Sequence, residues 1–148
     1  MLMRNTTSVP DKLIEIAVAF SIQENIALSE IVIKNKQAGV MHGQMGWYYP
    51  TDKKVVIIVP PNISEVWGMK MRGKYTHLQM SVGSRAEFIV SVMAHELRHA
   101  WQHQASGQWD TLYINNKQLK ERDAEHYQYG MLAKWRRMVE TAKLKEVA

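Results

Sequence analysis

At 148 residues and 46% hydrophobic content, the chain has the size of one domain and enough apolar surface to bury a core, so residues 1–148 are expected to fold as a single unit. The absence of cysteine excludes disulfides, thiolate zinc fingers and thiol catalysis, and no run of about 18 apolar residues offers a membrane span or, at the N-terminus, a signal-peptide core. A soluble cytoplasmic protein with no membrane partner is the expectation; the net charge of +5 permits nucleic acid or an acidic partner but is low for a dedicated nucleic-acid binder, and oligomeric state is not legible.

In chain order, Val9-Pro10-Asp11 opens a helix predicted to run to about Ile26, with Leu13, Ile14, Ala17, Val18 and Phe20 as its apolar face. Ile31-Val32-Ile33, ended by a polar run from Lys34, predicts a strand. Val40 to Tyr49, punctuated by Gly43 and Gly46 and aromatic at its end, predicts a twisted or bulged strand. A turn at Pro50-Thr51-Asp52-Lys53 joins it as a hairpin to Val55–Val59, a β-branched run of central-strand character stopped by Pro60-Pro61. Asn62 to Lys74 reads as a loop, with Trp67 and Met69 on the core and a small basic cluster at Lys70, Arg72 and Lys74. Tyr75 to Val82 alternates, with Thr76, Leu78, Met80 and Val82 on one face and Tyr75, His77, Gln79 and Ser81 on a wet one, which predicts an outer strand.

Ser84-Arg85-Ala86-Glu87 is a capping box, in which the Ser84 hydroxyl accepts the Glu87 amide proton and Glu87 reaches back. The helix it opens is apolar on nearly every side, from Phe88 to Trp101, and is predicted to be central and to stop at Gly107. Within it His95, Glu96 and His99 form a His-Glu-x-x-His arrangement. Residues four apart share a helix face, so the two imidazoles can converge on one ion, and zinc takes such nitrogens at about 2.0–2.1 Å. Glu96, roughly 100° further round, can hold a metal-bound water without ligating the metal. Two His and a Glu in a buried helix are costly unless paired or metal-bound; a satisfied core His pair is the bland alternative.

Two His make an incomplete zinc site, so a third ligand is sought on the last helix, predicted from Asn115 or Asn116 to about Lys143. The candidates are Glu121, Asp123 and Glu125. The buried stripe runs through Ala124, Tyr127, Met131, Trp135 and Met138; Glu121 lies roughly 60° from Ala124, whereas Asp123 and Glu125 each lie about 100° away. Glu121 is better placed, and Glu125, one turn on, could take a ligand His N–H; solvated charges remain the alternative for all three. His103 is one turn beyond His99, but it stands about 12 Å from His95 along the axis, too far to share the ion, and is expected to be an ordinary, partly exposed side chain. The metzincin spacing is absent, since Gln102 and Ala105 stand where it needs Gly and His. His77 or His126 could line the cleft and stabilise an oxyanion.

The segment His95-Glu96-Leu97-Arg98-His99-Ala100-Trp101-Gln102, followed by Glu121-Arg122-Asp123-Ala124-Glu125 on a later helix, resembles the minimal zinc metallopeptidases of the SprT-like and ImmA/IrrE-like kinds, and more broadly the gluzincins. The resemblance implies an α+β zincin-like fold, a small, mostly antiparallel sheet packed on the central metal helix with a second ligand-bearing C-terminal helix. It implies Zn²⁺ on His95, His99 and Glu121, Glu96 as general base and Glu125 in place of the family's supporting Asp. SprT-like proteins often carry a third His and a Cys-rich ribbon after the core; neither occurs here, so the ImmA/IrrE-like or generic gluzincin form fits better. The expected activity is endopeptidase cleavage of a peptide or protein held extended along Tyr75–Val82, with Tyr75, His77 and His126 as candidate substrate contacts. The competing readings are a catalytically silent binding or regulatory module of the same fold and a basic nucleic-acid-associated protein.

Overall fold

Leu2–Asn5 (β1) lies parallel to Glu30–Asn35 (β2), with Leu2 opposite Glu30 and Asn5 opposite Ile33. Helix Asp11–Ser21 (α1) makes the crossover that parallel neighbours require. The structure is a computed structural model, and it describes residues 1–37, 45–60, 70–72, 75–76, 78–113 and 116–147. The hairpin expected at Pro50–Lys53 forms: Gly46–Tyr49 (β3) runs antiparallel to Lys54–Val59 (β4), Gly46 opposite Ile57. β4 enters the sheet parallel to β2, giving the order β1-β2-β4-β3. The sheet is therefore mixed rather than mostly antiparallel as expected. Two of its three pairings are parallel: β1, a short stretch without a strong strand pattern, reaches β2 through a helix, and β4 joins β2 in parallel with β3 on its other side.

Ile31, Ile33, Val55 and Ile57 are fully buried and meet Ile14 and Ala17 of α1 and Phe88, Ile89, Met93 and Leu97 of Arg85–Gln104 (α2) in one core. α2 packs on α1, on β3 and β4, and on the long helix Lys117–Val147 (α3), so it is the central element, as its apolar composition predicted. Its N-terminus is built as expected: the Glu87 N–H donates to Ser84 Oγ at 3.2 Å, and the Glu87 carboxylate accepts from Gly83 N–H and from Arg136 of α3. Gly107, at φ +71°, follows the end of α2. α1 stops at Ser21, five residues short of expectation, because Ile22 turns extended and Asn25 adopts φ +65°. Asn116 caps α3 by accepting the Leu119 N–H at 3.1 Å.

The 75–82 stretch differs most from its pattern. Among its described residues only Gln79–Ser81 (β6) is strand, paired antiparallel with Lys70–Arg72 (β5), and Leu78 is exposed although the alternation put it inward. α3 takes its backbone instead: the Tyr75 N–H donates to Glu125, Tyr129 Oη donates to the Leu78 carbonyl, and Arg136 donates to the Ser81 carbonyl. Val40 to Gln44, Trp67, Met69, Lys74 and His77 lie outside the described residues. Among the described residues no helix is long and apolar enough to cross a membrane.

Candidate metal centre

α2 and α3 run antiparallel: as α2 descends from Gln102 to His95, its partners on α3 ascend from Lys120 to Gln128. This brings the Glu121 carboxylate between the two motif imidazoles, Oε2 at 3.1 Å from His95 Nε2 and Oε1 at 3.3 Å from His99 Nε2. The rings are close to perpendicular, with centroids 4.9 Å apart. One ligand atom from each of His95, His99 and Glu121 can be chosen so that all lie within 4.8 Å of one another, and the group could hold a metal ion. Neither Asp123 nor Glu125 belongs to it.

Both motif imidazoles are oriented from behind, by amides that the sequence did not single out. His99 Nδ1 is 2.9 Å from Gln102 Oε1, and His95 Nδ1 is 2.9 Å from Gln128 Oε1. The Gln102 amide cannot be turned round, because its Nε2 donates to the Lys120 carbonyl and to Asp123 Oδ2, which can only accept. His99 must then donate from Nδ1, which leaves Nε2 to act as the ligand atom once the ring is neutral, the tautomer a metal ligand needs. Asp123 is committed to this support. It accepts two bonds from Arg98, at 2.7 and 3.1 Å; burial would raise its pKa, but the bonds from Arg98 and Gln102 lower it.

Glu125 does not take the role expected of it. At four residues past Glu121 it lies about 40° off that residue's direction, whereas Gln128, at seven, returns to within about 20°. Glu125 is buried and clamps the Tyr75 amide through both oxygens, at 3.1 and 3.2 Å, while Gln128 holds His95. Tyr75 is thus near the site through its backbone, and His126 is exposed.

Glu96 is 5% exposed. Burial pushes its pKa up, against the opposing pull of His95 and His99. Its room is made by Gly46 of β3, where a Cβ would stand 3.0 Å from Glu96 Cγ and 3.0 Å from the Val56 carbonyl oxygen. The backbone oxygen cannot easily yield, so an alanine there shifts β3 slightly and presses on the Glu96 side chain. In the sequence Gly46 read only as strand punctuation. His103, expected to be an ordinary side chain, is engaged: its Nδ1 is 2.8 Å from Tyr48 Oη, and its ring packs edge-on to Trp109.

A test of the support follows. Gln102→Leu leaves His99 Nδ1 without its acceptor and should weaken zinc binding by about 10- to 100-fold in a chelator competition, with Asp123 still held by Arg98. Unchanged affinity would remove Gln102 from the centre. No family model, curated protein or solved structure matches the chain, so its chemistry rests on this geometry.

Proposed function

We propose that the chain is a zinc-dependent endopeptidase with a zincin-like fold of the gluzincin type. The observation that carries the reading is the convergence of His95, His99 and Glu121 within 4.8 Å, one helical turn of α2 from a buried carboxylate at Glu96. The donor set fits the ion. One Glu121 oxygen is 3.1 Å from His95 Nε2 and the other 3.3 Å from His99 Nε2, and one ligand atom from each of the three residues lies within 4.8 Å of the others, so these residues would hold the ion. Two nitrogens and one carboxylate suit zinc and leave its fourth position to solvent or substrate.

When bound, zinc supplies Lewis-acid polarisation of a carbonyl and acidifies a water. The chain's own residues do the rest. Glu96 accepts the attacking water's proton at a carboxylate oxygen and delivers it to the departing amine nitrogen, a task helped by burial, which raises its pKa. Gly46 keeps that carboxylate in place, and the Gln102 and Gln128 amides keep the imidazoles aimed. A binding module would have no use for a buried carboxylate at Glu96, beside the imidazoles whose charges act on it through space.

The purified chain should carry one zinc and cleave internal bonds in a peptide library, with cleavage lost on chelation and restored by zinc. A zinc-saturated chain that cleaves nothing would favour the silent binding module. Gly46→Ala should retain zinc yet lower turnover, by less than the roughly 10²-fold that moving a catalytic group by about 1 Å costs, because contacts at 3.0 Å press Glu96 only slightly. A fully active Gly46→Ala would show that Glu96 tolerates displacement.

A further inference from the structure

The face of α2 that carries Glu96 continues to His103, because seven residues bring a helix back to within about 20° of the same direction and roughly 10 Å further on. β3 makes a matching step. Gly46 and Tyr48, two residues apart on one face of the strand, stand against Glu96 and His103 respectively. The shared wall leads from the proposed base to a cleft of about 450 Å³ lined by Pro50, Thr51, His103, Trp109 and Asp110. α3 reaches the same place from its own side: Lys120, the residue before Glu121, holds its Nζ 5.0 Å from the centre of the Trp109 ring. α2 thus lines the cleft through His103, and β3 and α3, which flank the candidate centre, reach its edge through Tyr48 and Lys120.

We propose that this cleft is a substrate subsite, taking a neutral aromatic side chain that lies within three residues of the scissile bond. The proposal rests on the endopeptidase reading and names part of its substrate. The distance sets the range, since an extended peptide advances about 3.3 Å per residue and the cleft begins about 10 Å from Glu96. Its walls set the chemistry. His103 and Trp109 meet edge to face at 5.2 Å and Tyr48 stands 5.8 Å from His103, a ring cluster that a further ring can join in the offset or edge-on arrangements that aromatic groups prefer. Burial and the charge of Lys53 lower the pKa of His103, outweighing Asp110, so it presents a neutral ring at pH 7. Lys53 and Lys120 on one side and Asp110 on the other give the cleft mixed charge, so its ring cluster, rather than a net charge, sets the preference.

The test uses the zinc-loaded full chain and peptides in which Phe, Trp, Ala, Lys or Asp is moved through the three positions on each side of the cleaved bond. At one position Phe and Trp should exceed Ala, Lys and Asp in kcat/KM by about 10-fold or more. Trp109→Ala should bring the Phe to Ala ratio towards one, and Trp109→Phe should retain it. A second measurement is independent of turnover: titration with N-acetylphenylalanine amide should shift the Trp109 indole N–H resonance, and N-acetylalanine amide should not. That shift in a chain that cleaves no peptide would sink the endopeptidase reading and leave the subsite standing. No aromatic preference at any position, or no selective shift, overturns the subsite.

Discussion

Glu96→Gln is expected to keep its zinc and its fold and to lose peptide hydrolysis by about 10²- to 10⁴-fold, the range supplied by a positioned general base. Glutamine has the shape of the glutamate and still accepts and donates hydrogen bonds, but it cannot take a proton from the attacking water. The change is mild for the fold, because Glu96 is a buried carboxylate whose ionised form burial disfavours. Its neighbours Gly46 and the motif imidazoles meet an isosteric side chain. Zinc content by elemental analysis, the thermal midpoint and kcat on a cleaved peptide together decide the matter. If kcat survives with zinc bound, the base lies elsewhere and Glu96 is a structural residue. If zinc is lost as well, Glu96 supports the centre and the experiment speaks to binding rather than to proton transfer.

The parts of the site that were legible in the sequence are those a single helix determines. His95 and His99 are placed by four-residue spacing alone, and Ser84 opens α2 through a local bond to the Glu87 amide. Glu121 could be ranked above its neighbours because a buried stripe orients α3, although its distance from the imidazoles depends on how two helices cross. The amides that hold the imidazoles were not legible. A glutamine on a helix carries no chemical signature, and Gln102 and Gln128 acquire their roles only through the antiparallel pairing of α2 and α3. The sole available clue was position: Gln102 lies three residues after His99, and Gln128 two turns after Glu121. The sheet shows the same division. The β3–β4 hairpin is a local pattern and formed as expected, whereas β1 needs a partner 28 residues away in Leu2↔Glu30 and has too few residues to announce itself. Alternation over Tyr75–Val82 was overridden because Glu125, Tyr129 and Arg136 of α3 bind the backbone that a longer strand would have used.

Glu121→Ala should lower zinc affinity by more than about 100-fold, since it removes a direct ligand while loss of a supporting residue costs about 10- to 100-fold. It should also change how affinity depends on pH. Burial alone would lower the pKa of His95, but the hydrogen bond to Glu121, the charges of Glu96 and Glu121 and the contact with Gln128 outweigh it and raise the imidazole from 6.5 to about 9 in the absence of an ion. Burial likewise opposes ionisation of Glu121, yet the bonds from His95 and His99 hold its carboxyl well below the usual range. With zinc stripped away, the two groups form an ion pair. The raised pKa of His95 contributes stability that is complete below about 6.5 and is lost as pH rises through about 9; the depressed pKa of Glu121 contributes stability present above its ordinary 4.5 and lost as pH falls further. Chelated wild type should therefore gain most from this pair between about pH 5 and 6.5. To bind zinc at pH 7 the chain must release the His95 proton, so affinity should rise by roughly tenfold per pH unit until about pH 9. In Glu121→Ala the main group raising His95 is gone, leaving only the charge of Glu96 and the contact with Gln128 against burial, so that slope should flatten at lower pH as the absolute affinity falls. Chelator competition across pH 6.5 to 9 measures both. Equal affinity in the two proteins would eliminate Glu121 as a ligand and return Glu125 to consideration; a steep slope retained in the variant would place the released proton on a group other than His95.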